Sequence, residues 1–495
     1  MAFRILSRPS GWILRFISVL CFFTLFTILC VGVNISCHLS LAQDSLPINT
    51  LTFGPSVPVD LAQNRSVIRV LARIPNAREM DLYEKNSTHS YLFVASPGTG
   101  SIYILSLYHD TSRFNQTNTN MTSSPSGYVQ LLSQDIIVNS LSNSPNGVAY
   151  DSSTDTLYVG EIATIYMVRN VIAKYESGQK SASMYQKIPI QSYDPNTWHG
   201  FKYIRIHKKR MYVPVGAPCN TCILTDLFGT MTSFELPKDV NNFTQPATKR
   251  VEATGLRNSV GFDFDPNNDS VMYFTDNGRD MMGNLIPGDE FNKLILNNEG
   301  DTNIKSFGFP YCHANGIVDP DMNPNESVMS CSNGNYVRPI VTLDAHVAAL
   351  GTIFFRNSEA LLWKQFMNVN RSVFIAEHGS WNRDPPFGYR VMMISDVKDE
   401  QKAPSGYSVF LEGWLTKGTT KYWGRPVDVR QLNKGPVASL FISDDYAGAI
   451  YVVEFDPLAK KNQGNVNGAS SSEVSLIGRS CVMIALLLAL LFFIQ

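Results

Sequence analysis

One pattern recurs along the chain and constrains its fold more than any other feature. Asn146-Gly-Val-Ala-Tyr-Asp is followed by a turn and then Leu157-Tyr-Val-Gly-Glu161. Asn258-Ser-Val-Gly-Phe-Asp-Phe-Asp leads in the same way to Met272-Tyr-Phe-Thr-Asp276, and Pro426-Val-Asp-Val leads to Leu440-Phe-Ile-Ser-Asp444. Each copy is a strand of alternating apolar residues, a polar turn, and a β-rich strand that ends on an acid. A unit repeated at tens of residues cannot bury its own faces and must stack on its copies. The remaining copies open at Arg78, His199 and His346, with second strands at Tyr91-Leu-Phe-Val-Ala, Arg210-Met-Tyr-Val-Pro-Val-Gly216 and Ser372-Val-Phe-Ile-Ala-Glu377. Most continue into a third strand, such as Thr164-Ile-Tyr-Met-Val and Gly448-Ala-Ile-Tyr-Val-Val.

Three to four strands per unit and six units predict an all-β fold, a six-bladed β-propeller forming a single large domain over residues 67–456. Merging or splitting one unit would give five or seven blades. Val67-Ile-Arg-Val-Leu is expected to close the ring by pairing into the last blade. In such a ring the first strand of each blade lines the axis. The residues opening the first strands therefore share one channel mouth: Arg78, Asn146, His199, Arg257-Asn258, His346 and Arg425. Acids at the second-strand ends edge it: Glu161, Asp276, Glu377 and Asp444-Asp445. Arginine forks suit carboxylates or phosphates, and histidine suits proton transfer near neutral pH. The bland alternative is a polar mouth whose groups only pair with one another.

The ends of the chain carry other signals. Arg4, Arg8 and Arg15 lead into an apolar run over residues 16–35, and Ser40-Leu41-Ala42 reads as a cleavage site. Residues 1–42 are thus expected to be a signal peptide, with a retained anchor as the alternative. Residues 43–66 read as an N-terminal extension. Residues 457–480 form a polar spacer with small residues at 467–470, and residues 481–495 are apolar to the last position. Small site, spacer and apolar tail match a GPI-anchor signal, with a single C-terminal span as the alternative. Sequons at Asn64, Asn86, Asn115, Asn120, Asn242, Asn268, Asn325 and Asn370 agree with export to the cell surface.

Of eight cysteines, Cys219, Cys222, Cys312 and Cys331 fall within the repeats. An even number in an oxidising compartment points to disulfides. The favoured pairing is Cys219–Cys222 with Cys312–Cys331, among three connectivities. The formal net charge of −1 gives no electrostatic reason to expect nucleic acid. Membrane contact is expected only through the lipid anchor.

From Thr254 onward the motifs become specific. Gly255-Leu-Arg-Asn258, Thr275-Asp-Asn-Gly-Arg-Asp280, Pro287-Gly-Asp-Glu-Phe-Asn292 and Phe307-Gly-Phe-Pro-Tyr-Cys-His313 run in order. Glu377-His-Gly-Ser-Trp-Asn-Arg383, Gly388-Tyr-Arg390, Trp423-Gly-Arg-Pro-Val-Asp428 and Ser443-Asp-Asp-Tyr-Ala-Gly-Ala-Ile-Tyr451 follow. Together they resemble the soluble quinoprotein glucose/sorbosone dehydrogenase family, pyrroloquinoline-quinone (PQQ)-dependent sugar dehydrogenases on a six-bladed propeller. The resemblance implies that Arg257 and Asn258 hold PQQ, with Arg78, Arg383, Arg390 and Arg425 as further clamps; the family often has Lys where Arg390 stands. It implies a Ca²⁺ held by backbone carbonyls of Asn277, Gly278 and Arg279, with Asp289 and Glu290 in support. It implies His199 as the base that takes the anomeric proton of an aldose while C1 is oxidised to the lactone, with electrons passed to an unidentified acceptor. One departure is visible. The family's type enzyme has an Asp that orients this histidine, whereas Gly216-Ala-Pro-Cys219 stands here. His313, His346 and His378 are expected to be structural or supporting. Two other readings remain: an inactive propeller serving as a surface binding module, as in hedgehog-interacting proteins, and a calcium-dependent lactonase, against which the Arg-rich ring argues.

Overall fold

The computed structural model describes residues 46–111, 127–142, 144–297, 300, 302–397 and 406–455. The signal peptide, the sequons at Asn115 and Asn120, the anchor site near 467–470 and the apolar tail lie outside the described residues. Six antiparallel sheets of four main strands each form the blades. Blade 1 runs over Met80–Glu84, His89–Ser96, Ser101–His109 and Val129–Val138. Blade 2 is Gly147–Asp151, Thr156–Gly160, Thr164–Arg169 and Lys187–Ser192, and blade 3 is Arg205–His207, Arg210–Val215, Thr230–Glu235 and Arg250–Thr254. Blade 4 is Gly261–Phe264, Val271–Asp276, Gly288–Ile295 and Val341–Ala345, and blade 5 is Ala349–Phe354, Val373–Glu377, Arg390–Ile394 and Tyr407–Glu412. Blade 6 takes Pro426–Gln431, Leu440–Asp444 and Ala449–Phe455 from the end of the domain and Ser66–Arg73 from its start.

That last pairing closes the ring. Ser66 faces Phe455 and Arg73 faces Ala449 in antiparallel register. A closed ring leaves only short outer edges exposed. One of these, the outer strand of blade 5, is covered by Thr52–Phe53. Phe53 packs its ring 5.6 Å from Phe410 and 5.2 Å from Phe455, so the described part of the N-terminal extension belongs to the domain.

Apolar side chains fill the gaps between blades. Leu92, Val94 and Leu105 of blade 1 meet Phe441 and Val452 of blade 6. Trp363 seals blades 5 and 6 against Phe374, Phe410 and Phe455. The axis is different in character. The inner strands and the segment before blade 3 bring Glu79, Tyr203, Asp428 and Arg430 together, all buried. Arg430 donates to Asp428 at 2.8 Å and to the Tyr203 hydroxyl at 3.1 Å, and Arg205 lies 3.4 Å from Asp263. The channel is thus plugged by a paired ionic network, the condition under which buried charge is tolerated.

One inner strand is shorter than its sequence predicts. The alternating run after His199 enters the sheet only at Arg205. His199 sits at φ 49°, and the Ile204 N–H donates to the Glu79 carboxylate of blade 1 instead of to a ladder partner.

Candidate functional site

Acids at the ends of the second strands, with Asp289 at the start of the third strand of blade 4, build the channel mouth. Asp276 accepts from the N–H groups of Arg257 at 2.9 Å and Asn258 at 2.7 Å, and from Ser259 Oγ at 3.1 Å. Asp444 accepts from the N–H groups of Arg425, Tyr446 and Ala447. Asp289 accepts from Gly278 and Ala349. These carboxylates fold the loops; burial, partly offset by those bonds, raises Asp276 and Asp444 to about 6 and Asp289 to about 7.

The loops so capped surround a cavity of about 390 Å³. Arg78, His199, Arg257, Asn258, His346 and Arg425 all line it. Five of the six blades therefore contribute their opening residue. The sixth, Asn146, lies buried beneath, accepting from Arg78 Nε at 2.6 Å and donating to the Lys202 carbonyl. A larger cavity of about 600 Å³ lies at the opposite end, among the hairpin turns that hold Asp151, Lys208 and Asp269, and contains none of the ring residues.

Each mouth arginine is held by the protein. Arg78 meets Asp445 at 2.5 Å and lies over the Phe201 ring at 4.6 Å. Arg257 donates to Asn220 and Asp280, both at 2.8 Å, and to the Asn277 carbonyl at 3.2 Å. Arg425 donates to the carbonyls of His378 and Gly379, with the rings of Tyr389 and Tyr422 5.4 and 5.5 Å away. Such fixing leaves a guanidinium little rotamer entropy to lose on binding. Asp445 also meets His378 at 2.8 Å; burial opposes its charge, but His378 and Arg78 outweigh burial and hold the carboxyl well below the usual range.

The other two arginines stand apart. Arg390 pairs with Glu377 at 2.6 Å and Asp344 at 2.7 Å, and Arg383 donates to the Ala345 carbonyl while lying over Phe387. Neither lines the cavity. In the loop 277–279, Asn277 and Gly278 reach it, whereas the Arg279 side chain turns away to Asp319 and Asp321. Glu290 is buried, accepts from Ala314 N–H and Asn292, and lies off the cavity; burial and Asp276 push it up to about 8. Among the described residues no cluster of three or more His, Cys, Asp or Glu side chains has metal-binding geometry. A cation beside this loop would depend on carbonyl oxygens, and that of Asn277 already accepts from Arg257.

His199 finds its orienting partner in the backbone. Its Nδ1 lies 2.8 Å from the Ala217 carbonyl oxygen. Nδ1 must then carry the proton, which leaves Nε2 as an acceptor. A Cβ at Gly216 would lie 2.6 Å from His199 Cβ, so glycine permits this approach. Burial, reinforced by Arg257 and opposed by the Ala217 bond, lowers the His199 pKa to about 3. The imidazole is therefore neutral at neutral pH, with Nε2 unprotonated. His346 uses Nε2 to donate to the carbonyls of Gly283 and Ile286, and its buried Nδ1 has no partner.

Phe201, Asp280 and Trp381 are among the cavity residues that have no place in the ring read from sequence. Asp280 and Trp381 lie within the quoted Thr275–Asp280 and Glu377–Arg383 motifs, so the motifs carried the signal where the strand register did not. Both disulfides form, Cys219–Cys222 and Cys312–Cys331.

The TrAA12-like family model matches residues 146–456. An uncharacterized protein of Borreliella burgdorferi is 31% identical over 317 residues, 63% of this chain and 76% of that protein. A carbohydrate-active enzyme of family AA12 from Trichoderma reesei, in iodide and calcium structures, is 17% identical with TM-scores of 0.60 and 0.59. The alignments cover 82% of this chain and 98% of that one. The holo form of the pyranose dehydrogenase PQQ domain from Coprinopsis cinerea is 16% identical, with a TM-score of 0.54 over 81% of this chain and 99% of that one. At these identities the solved structures establish a shared propeller fold.

Proposed function

The chain belongs to the TrAA12-like family, and on that premise we propose that it is a PQQ-dependent oxidoreductase of sugars. One observation carries the reading: a neutral histidine with a free Nε2 shares one cavity with three fixed arginines. The arginines suit a ligand bearing several carboxylates, as PQQ does. Arg78, Arg257 and Arg425 would hold them. When bound, PQQ would supply the acceptor for hydride from the sugar, and a Ca²⁺ held by carbonyls of the 277–279 loop would polarise it.

The chain's own part is to place the sugar and take a proton. In the finer reading, of glucose/sorbosone type, the hydroxyl on C1 of an aldose gives its proton to His199 Nε2 as the C1–H bond breaks, and the lactone results. Ala217 keeps Nδ1 protonated, so only Nε2 is available to receive it. General-base help of this kind is worth roughly 10²–10⁴-fold. We place the enzyme outside the cell on a GPI anchor; release of the protein from intact cells by a phosphatidylinositol-specific phospholipase is the check, and its retention would count against the anchor.

A second reading has its own support. Arg78, Arg257 and Arg425 all have partners within the protein, as a ring serving only as a binding surface would. Purified protein supplied with PQQ and Ca²⁺, assayed across a sugar panel with an artificial electron acceptor, separates the two. Turnover supports the enzyme. Absence of turnover with every sugar would favour the binding module.

A further inference from the structure

The loop over residues 216–222 touches both halves of the mouth chemistry. Its Ala217 carbonyl meets His199 Nδ1 at 2.8 Å, and its Ala217 N–H donates to the Arg257 carbonyl at 2.7 Å. Three residues on, Asn220 grips the Arg257 side chain. Its carbonyl accepts from Nε at 3.0 Å and its Oδ1 from Nη2 at 2.8 Å. The same Oδ1 accepts from the Asp280 N–H at 2.9 Å, and Asn220 Nδ2 donates to the Asp280 carbonyl at 3.2 Å. Asp280 in turn accepts from Arg257 at 2.8 Å and from Asn382 of blade 5 at 2.9 Å.

A guanidinium has five N–H groups in a rigid fork. Asn220, Asp280 and the Asn277 carbonyl engage four of them and leave one on Nη1. The fork is thus aimed as well as anchored. At position 220 the acceptor serves both Arg257 and the Asp280 N–H, and the Nδ2 donor adds a longer bond to the Asp280 carbonyl. Cys219 and Cys222 flank Asn220 and are joined in a disulfide, which closes the loop around it.

We propose that the Cys219–Cys222 loop is the positioning element of the mouth: Asn220 aims Arg257 into the cavity, Ala217 fixes the tautomer of His199, and the disulfide holds the two contacts in register. Its effect on cofactor affinity rests on the PQQ reading above; its effect on His199 does not.

Two readouts on the purified full chain test it. The first is PQQ affinity by calorimetry in the presence of Ca²⁺. The second is the His199 tautomer in cofactor-free protein, from ¹⁵N-histidine spectra assigned by the loss of signals in His199→Gln. Asn220→Ala should weaken PQQ about tenfold, the scale of one charge-assisted hydrogen bond, and leave His199 as the single Nδ1–H tautomer. Asn220→Asp, which keeps the acceptor, should recover most of the affinity. The Cys219→Ser/Cys222→Ser double variant should weaken PQQ and mix the His199 tautomers. A folded double variant with wild-type affinity and a single tautomer would overturn the proposal. If it does not fold, the Asn220 pair decides: equal affinity of wild type and Asn220→Ala overturns it. If the wild type binds no PQQ, the PQQ reading fails, and the tautomer alone judges the loop.

Discussion

Lowering the pH from 7.5 to 5.0 should cost the wild-type protein about 2 kcal/mol that a His199→Gln variant keeps. Burial, with Arg257 beside it, lowers the His199 pKa from its ordinary 6.5 to about 3. The folded state therefore keeps His199 neutral where the unfolded chain takes up a proton. The contribution to stability is complete above pH 6.5 and is lost as the pH falls from 6.5 toward 3. The slope across that window is about 1.4 kcal/mol per pH unit. Over the roughly 1.5 pH units from 6.5 to 5.0 this gives about 2 kcal/mol. Glutamine removes the titration and can still donate to the Ala217 carbonyl. His109, His313 and His378, also lowered by burial, are common to both proteins and cancel in the difference. Urea unfolding of both proteins at both pH values supplies the four free energies. A difference that stays within about 0.5 kcal/mol between the two pH values would show that His199 titrates as a solvated histidine. His199 would then not be held neutral by its surroundings.

Arg430→Met should cost about 3–5 kcal/mol in urea unfolding at pH 7.5, because it strands Asp428 and Glu79 on the axis without their cation; a loss under about 1 kcal/mol would mean the network is not what plugs the channel. Arg390→Met should destabilise the protein while leaving PQQ affinity within a factor of about two, since its partners are Glu377 and Asp344; a large loss of affinity would restore it to the clamp. Replacing Cys312 and Cys331 with serine opens a loop with a sequence separation of 19 residues and should cost about 3 kcal/mol in the same unfolding assay, without moving the His199 tautomer.

The repeat made the ring legible because strand periodicity and acid-ended strands recur in fixed register. Once Asn146, Asn258 and His346 are aligned, the side chains at the mouth follow from topology. The closing strand from Ser66 was legible for the same reason: an alternating run with no partner before the first unit has the last blade to join. What register does not encode is where a long side chain ends. Arg390, Arg383 and Arg279 sit in motifs beside the mouth, but each finds acids or carbonyls elsewhere within reach of a flexible stem. The partner of His199 was hidden for a different reason. A backbone carbonyl carries no residue signature, so the missing Asp looked like a gap until the 216–222 loop was folded against it. The acids at the second-strand ends read as a chemical rim, yet Asp276 and Asp444 spend their oxygens on the N–H groups of the turns they face.

On the proposed function, the mouth of the propeller is a cofactor site and not only a polar surface. Titration of PQQ into the purified protein with Ca²⁺ present, followed by calorimetry, tests it most directly. One site of micromolar affinity or tighter is expected, weakened by Arg78→Leu, Arg257→Leu or Arg425→Leu and left intact by His199→Gln. No saturable binding in the micromolar range, or binding indifferent to all three arginines, would contradict it.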